Sequence, residues 1–292
     1  MKVLITGGGG FIGRNLAEYL RPRHEILTPS HRELDCLDQE AVEAYLEKHR
    51  FDAVIHSAGI PASRKVKDPK NVALGNLGMF FNLVSRARFF SKMICLGSGS
   101  EYDQRRDLCG VREEEAGLRL PADELGFSKW ICSRVAEREE GLTHLRLFGV
   151  FGKYEDYEIR FISNALCKAV FDLPVTIRQN RFFSYLWAED LCRIVEYFMT
   201  HPGKYKVYNV VPDRKTDLLS IARQANRIAG KDLEIRTETP GLGPEYTGDN
   251  GRLREEIKDF CFTPLEEAME TLYRWYRENK NGLRRECLLY DP

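Results

Sequence analysis

The stretch Met1-Lys-Val-Leu-Ile-Thr-Gly-Gly-Gly-Gly-Phe-Ile-Gly13 decides the fold. Val3, Leu4 and Ile5 are a short apolar run with two β-branched members, which suits a strand buried on both faces. Glycines 7, 10 and 13 follow as G-x-x-G-x-x-G, and Leu16, Ala17 and Leu20 then recur at helical spacing. Strand, glycine turn and helix succeed one another without a gap. Glycine permits the tight turn and lets backbone N–H groups approach a pyrophosphate at the positive end of the helix. The triplet alone would also suit a plain turn; the strand before it and the helix after it favour a dinucleotide site. Gly7, Gly10, Phe11, Ile12 and Gly13 are the candidate cofactor-binding residues of this stretch.

Working outward, Glu25 to Thr28 predicts a second strand, followed by Pro29-Ser-His-Arg-Glu-Leu-Asp35. An NAD site usually carries an acidic side chain just after this strand, on the ribose 2′-hydroxyl. Here a hydroxyl, an imidazole and a guanidinium come first, a set that suits a 2′-phosphate. Ser30, His31, Arg32 and Asp35 are taken as cofactor-binding candidates, and NADP is expected over NAD. Glu33, about twenty residues after the last glycine, is the counter-candidate for an NAD-type contact. Phe51 to His56 predicts a third strand, emptying into Ser57, Ala58 and Gly59, small residues that leave room for a cofactor. His56 is expected to be structural. Helices are predicted over Gln39 to His49, from Asp68-Pro69 onward, and over Phe127 to Glu140. Further strands are predicted over Lys92 to Leu96 and His144 to Phe148. Strands alternating with helices imply a doubly wound parallel sheet, an α/β fold of the Rossmann type.

Residues 1–150 are expected to form this NAD(P)-binding domain, with segments around 186–211 joining it. Residues 151–185 and 212–292 are expected to form a smaller α/β lobe. Within that lobe Pro240 to Gly248 is predicted to be a loop able to cover a ligand, and Thr263 to cap a last helix that begins at Pro264. The 292 residues carry 44 basic and 44 acidic side chains, which argues against a general nucleic-acid or acidic-membrane surface. No apolar run reaches membrane-spanning length, and eight scattered cysteines without a C-x-x-C pair suit reduced thiols, so a cytoplasmic protein is expected. Metal-ligand spacing, a P-loop and a G-x-S-x-G elbow are absent from the sequence.

Taken together, these pieces resemble the extended short-chain dehydrogenase/reductase family, the NAD(P)-dependent nucleotide-sugar epimerases, dehydratases and reductases. Thr6-Gly-Gly-Gly-Gly-Phe-Ile-Gly13 is similar to its T-G-G-x-G-F-I-G, and Asp68-Pro69 with Asn76 and Asn82-Leu83 to its D-P…N…N-L helix. Phe148-Gly-Val-Phe-Gly152 is similar to its F-N-V-Y-G, with Gly149 in place of asparagine. Leu96-Gly-Ser-Gly-Ser-Glu-Tyr102 and Arg32-Glu-Leu-Asp35 look most like the GDP-fucose synthase-like branch, which uses NADP.

The resemblance implies a nucleotide-sugar substrate and a catalytic serine, tyrosine and lysine. Ser98 and Lys129 fall on the serine and the lysine, and Lys129 would also hold the cofactor. Asn76, Ser98, Ser100, Arg181 and Arg252 are the implied substrate-binding candidates, the two arginines for the diphosphate. Pro121-Ala-Asp-Glu-Leu-Gly-Phe-Ser-Lys129 matches P-x-x-x-Y-G-x-S-K except that Leu125 stands where the tyrosine belongs. Gly126, Ser128 and Lys129 fix the register, so no slip recovers it.

Three readings stay open. Another side chain (Tyr102, Cys109, Asp123 or Glu124) supplies the proton; or the chain binds NADP and a nucleotide sugar without turnover, as a sensor or assembly partner; or its chemistry needs only hydride transfer or elimination. The family's pairing of two helices per subunit implies a homodimer, here through Phe80, Leu83, Val84, Trp130, Ile131 and Val135.

Overall fold

The structure, a computed structural model, describes residues 1–60 and 70–289. Strand β1 (Lys2–Thr6) buries Val3, Leu4 and Ile5 completely. Helix α1 (Phe11–Leu20) starts straight from the glycine turn and buries Leu16, Ala17 and Leu20, the spacing noted in the sequence. After β2 (Glu25–Leu27), helix α2 (Gln39–His49) is capped by the Asp38 carboxylate, which accepts the N–H groups of Glu40 and Ala41 at 3.0 Å. Strand β3 (Phe51–His56), helix α3 (Val72–Val84) and strand β4 (Phe90–Ser98) follow. Asp68-Pro69, expected to open the helix that became α3, lies outside the described residues.

The next elements are β5 (Leu108–Val111), α4 (Glu124–Ala136) and β6 (Leu142–Leu147). Helix α4 begins earlier than the predicted Phe127 because Asp123 caps it, accepting the Gly126 N–H at 2.8 Å. Then come β7 (Gly149–Phe151), α5 (Phe161–Val170), β8 (Val175–Asn180), β9 (Phe182–Phe183), β10 (Tyr185–Trp187), α6 (Ala188–Thr200) and β11 (Val207–Val210).

Six of these strands form one all-parallel sheet in the order β11-β6-β4-β3-β1-β2. The strand pleat sends alternate residues to opposite faces. Val3, Ile5, Ala53, Ile55, Ile94 and Leu96 pack on α1 and α6, while Leu4, Val54, Met93 and Cys95 pack on α2, α3 and α4. Covering both faces requires unbroken apolar runs, which is why these strands do not alternate in sequence. The chain leaves β1 for β2 on one side and returns to β3 on the other. A ligand crevice therefore lies outside the carboxyl ends of β1 and β3.

The chain ends with β12 (Thr216–Asp217), α7 (Leu218–Ala229), β13 (Ile235–Leu242), β14 (Tyr246–Gly248), α8 (Gly251–Glu256) and α9 (Leu265–Glu278). Helices α5, α7 and α9 share a second core around Leu166, Ile221 and Leu272. Strand β13 pairs with β8, and a four-stranded sheet runs β12-β9-β14-β5.

Two expectations are corrected here. The segment expected to be a ligand-covering loop is mostly strand, because β13 reaches Leu242 and β14 starts at Tyr246. Thr263 does not cap α9: its hydroxyl and N–H donate to the two oxygens of Asp190, at 2.9 and 2.8 Å, tying the start of α9 to α6. Among the described residues, no helix is long and apolar enough to cross a membrane.

Candidate active site

The glycine turn is built for close approach. Gly7 has φ +71°, and a Cβ there would lie 2.7 Å from the Ala58 nitrogen. A Cβ on Gly13 would lie 2.2 Å from the Gly7 carbonyl oxygen, while one on Gly9 would meet open space. Gly10 occupies the N-cap of α1 in extended backbone and has no side chain to fill the helix end. The first-turn N–H groups of Phe11, Ile12 and Gly13 thus form an uncovered positive terminus next to a backbone concavity. That combination fits a dinucleotide pyrophosphate.

Ser57, Ala58 and Gly59 wall this cradle: Ser57 N–H donates to Thr6 O at 3.2 Å and Ala58 N–H to Thr6 Oγ1 at 3.3 Å. His56 bonds Thr6 Oγ1 through Nδ1 at 2.9 Å, and its complete burial pushes its pKa down to about 4. It is a neutral structural residue, as expected.

In the turn after β2, Ser30 N–H donates to Glu33 Oε2 at 2.7 Å, a bond that holds the Glu33 carboxyl low. Glu33, the counter-candidate for a ribose contact, is thereby tied to its own turn. Asp35 is tied similarly, accepting the Leu37 N–H at 2.9 Å with His31 Nδ1 3.6 Å away. Ser30, His31 and Arg32 are exposed at the end of β2. Arg21, which the sequence reading missed, joins them there by donating to Thr28 Oγ1 at 3.3 Å.

Ser98 ends β4, and its hydroxyl accepts the Ser100 N–H at 3.1 Å. Lys129, from α4, donates to the Leu96 carbonyl at 2.9 Å and reaches within 4.0 Å of where a Cβ on Gly59 would lie. Lys129 is therefore anchored two residues before Ser98, at the carboxyl end of β4 and beside the cradle. Leu125 lies one turn before Lys129 on α4, half-buried, with only hydrocarbon to offer. Asn76, expected to touch substrate, is 3% exposed and clamps Ile60 instead, accepting its N–H at 2.7 Å and donating to its carbonyl at 3.3 Å. It shapes the wall of the cradle and does not face a substrate. Ser100 is buried, and its Oγ has no partner among the described residues.

A buried charge network, unforeseen from the sequence, supports the Ser98 turn. Glu101 accepts the Ser98 N–H at 3.0 Å and His144 Nε2 at 2.7 Å through one oxygen, and Arg146 Nε at 2.7 Å through the other. Burial opposes the Glu101 charge, but Arg146 and His144 prevail and hold its pKa at about 2. Burial likewise opposes the His144 charge, and Glu101 raises it to about 9. The signal available in the sequence was a strand, Leu142 to Leu147, carrying His144 and Arg146 two residues apart, hence on one face.

This network also decides the fate of the proposed substitute acids. Tyr102 is 1% exposed, accepts Arg146 Nη1 at 2.9 Å and bonds Asn209 Oδ1 at 2.9 Å, and burial pushes its phenol well up. Asp123 is the cap of α4, the Glu124 carboxylate accepts the Ala73 N–H at 2.9 Å, and Cys109 is exposed on β5. Tyr102, Asp123 and Glu124 are thus committed to other bonds, and Cys109 is exposed.

Of the two arginines, Arg181 stacks on the Phe183 ring, 4.7 Å from its centroid, at the turn between β8 and β9. Arg252 is corrected: it is paired with Glu114 at 2.6 Å and donates to the Val207 carbonyl at 3.3 Å. Val207 begins β11 and lies level with Cys95, three residues short of Ser98 along the sheet, so Arg252 is away from the site. The dimer expectation also needs correction in detail, since Phe80 and Leu83 are fully buried in the core, while Leu74 and Phe81 are the exposed apolar residues of α3.

Comparison with known structures gives the same architecture throughout. The chain superimposes on an NADP-bound GDP-L-fucose synthetase from Naegleria fowleri with a TM-score of 0.84, 17% identity, and 97% and 94% of the two chains covered. A GDP-mannoheptose C4 reductase from Campylobacter jejuni with NADP bound gives 0.82 and 18%, covering 94% and 98%. In sequence, a GDP-L-colitose synthase from Yersinia pseudotuberculosis is 25% identical over 221 residues, 68% of this chain and 71% of that protein. The family model described as the NAD dependent epimerase/dehydratase family matches residues 3–211, spanning the glycine cradle, Ser98 and Lys129, and the chain belongs to that family.

Proposed function

We propose that this protein is an NADP-dependent enzyme that reduces or epimerises the sugar of a GDP-linked keto-hexose. The observation that carries this reading is the anchoring of Lys129 two residues before Ser98, at the carboxyl end of β4 and beside a glycine cradle. The GDP-sugar relatives support the nucleotide, and the NADP-bound structural neighbours support the cofactor. The pyrophosphate would rest on the N–H groups of Phe11, Ile12 and Gly13, and the 2′-phosphate near Arg32, Ser30, His31 and Arg21. Bound NADPH would supply hydride. Ser98 would donate a hydrogen bond to the reacting sugar oxygen, while Lys129 would hold the ribose hydroxyls and contribute positive charge. Arg181, over Phe183, would lie toward the diphosphate. The outer face of α3, with Leu74 and Phe81, would meet a second copy in a homodimer, and free cysteines suit the reducing cytoplasm.

Mixing the protein with NADPH and a panel of GDP-, UDP- and dTDP-linked 4-keto-sugars tests this directly. Oxidation of NADPH by the GDP compounds alone is the expected result; no oxidation with any of them would refute it. One observation favours a second reading, a binding protein without turnover: Leu125 replaces the residue that normally carries the proton. On that reading NADP and the nucleotide sugar bind with ordinary affinity and nothing is consumed.

A further inference from the structure

A phenol from the C-terminal part of the chain reaches the Ser98–Gly99 turn. Tyr246 lies in β14 between β9 and β5, and its carbonyl accepts the Ser184 N–H at 3.3 Å. Its neighbours are fixed as firmly: Glu245 O accepts the Leu108 N–H at 2.9 Å, and Thr247 Oγ1 accepts the Gly110 N–H at 2.8 Å. The ring is held between Phe148, with centroids 5.1 Å apart, and Phe183, at 6.0 Å. The ring carries its hydroxyl to the Ser98–Gly99 turn, where the Ser98 side chain acts on the phenol. A Cβ on Gly99 would lie only 2.5 Å from this phenol oxygen. Gly99 has an ordinary φ, so what glycine provides there is room for the phenol.

We infer that Tyr246 is the proton source of this site, acting on the reacting sugar oxygen through Ser98 in place of the side chain lost at Leu125. The inference rests on the reductase reading above. During reduction the carbonyl carbon gains hydride from the reduced nicotinamide cofactor, which is oxidised. The carbonyl oxygen takes the Ser98 hydroxyl proton, and Ser98 Oγ takes the proton of Tyr246 Oη. The O–H bond of the phenol breaks, its electron pair stays on Oη, and water returns the proton after release. Oxidation runs the same transfers in reverse. Tyr246 is a positioning and relay residue, because Ser98 is the group that would touch the sugar.

The surroundings suit a donor. Burial raises the phenol most, Ser98 and Arg160 oppose it, and Glu101 and Asp123 add to the rise. The oxygen is therefore protonated at neutral pH, the form a donor needs.

The test compares the wild type, Tyr246→Phe, and Tyr246→Phe combined with Leu125→Tyr, using NADPH and a GDP-4-keto-hexose. Tyr246→Phe keeps the ring and both aromatic contacts. It should lower kcat by about 10²–10⁴-fold, with NADPH affinity and KM within about threefold of wild type. Adding Leu125→Tyr should recover at least about tenfold, since that phenol sits one turn from Lys129.

A readout without turnover uses NADP⁺ and a ¹³C-labelled keto carbon: the bound carbonyl stretch should move back toward its value in water in Tyr246→Phe. If Tyr246→Phe retains kcat within about threefold, or lowers it with the carbonyl stretch unchanged, the inference is overturned and the functional reading stands. If the wild type oxidises no NADPH with any keto-sugar, the functional reading falls and takes the inference with it.

Discussion

Replacing Glu101 by Gln removes the one anion between two buried cations and should be the most damaging isosteric change under the active site. Glu101, His144 and Arg146 have no exposed side-chain surface. The Glu101 carboxyl falls from 4.5 to about 2, a difference of 2.5 units that corresponds to about 3 kcal/mol at 1.36 kcal/mol per unit. Breaking a buried pair by removing one partner costs about 3–5 kcal/mol, because the other charge is left uncompensated, so the two routes agree. The sign follows from the directions. Glu101 is lowered, so its contribution is complete above about pH 4.5 and fades as pH falls toward about 2. His144 is raised from 6.5 to about 9, so its contribution is complete below about pH 6.5 and is lost as pH rises through about 9. Both describe one interaction and are counted once. Urea unfolding followed by near-ultraviolet circular dichroism, from pH 4 to 10, should show Glu101→Gln about 3 kcal/mol less stable near pH 6, with the gap narrowing at both extremes. A loss below about 1 kcal/mol at pH 6 would refute the reasoning.

Arg32→Ala should weaken NADPH by roughly 1.5–3 kcal/mol, the worth of one charge-assisted contact, and leave NADH unchanged; a fluorescence titration in which wild type prefers NADH would contradict this. Gly13→Ala should abolish cofactor binding and cost about 1–3 kcal/mol of stability, because its Cβ would lie 2.2 Å from the Gly7 carbonyl; NADPH affinity equal to wild type would contradict it. Phe81→Glu should convert a dimer to a monomer in sedimentation at micromolar concentration, and a wild type already monomeric there would contradict the proposed interface.

The parallel sheet was legible because burial on both faces demands continuous apolar runs, and Val3 to Ile5 or Ala53 to Ile55 cannot serve otherwise. The glycine cradle was legible because only glycine tolerates the Gly7 and Gly13 geometry. Strands β5 and β14 were not, since each exists only through pairing with strands far away in sequence, and Tyr246 stands in a Gly/Pro-rich stretch that locally suggests a loop. Ser98 and Tyr246 are far apart in sequence, so no local pattern announces that the Tyr246 hydroxyl reaches the Ser98–Gly99 turn. Asn76 suggested a binding role by its residue type, while the Ile60 backbone groups that claim it are set by the fold. Arg252 was misplaced because proximity in sequence to a glycine-rich segment says nothing about which end of β11 it reaches.

The central claim is that Ser98, Lys129 and the glycine cradle assemble a site for hydride transfer between NADP and a GDP-linked sugar. Incubation with NADPH deuterated at C4 and a GDP-4-keto-hexose, followed by mass spectrometry of the sugar nucleotide, measures that transfer atom by atom. The account predicts one deuterium on the sugar carbon with wild type and at least about a hundredfold less per unit time with Ser98→Ala. A sugar recovered without deuterium from the wild type, under conditions where both ligands are bound, would contradict it.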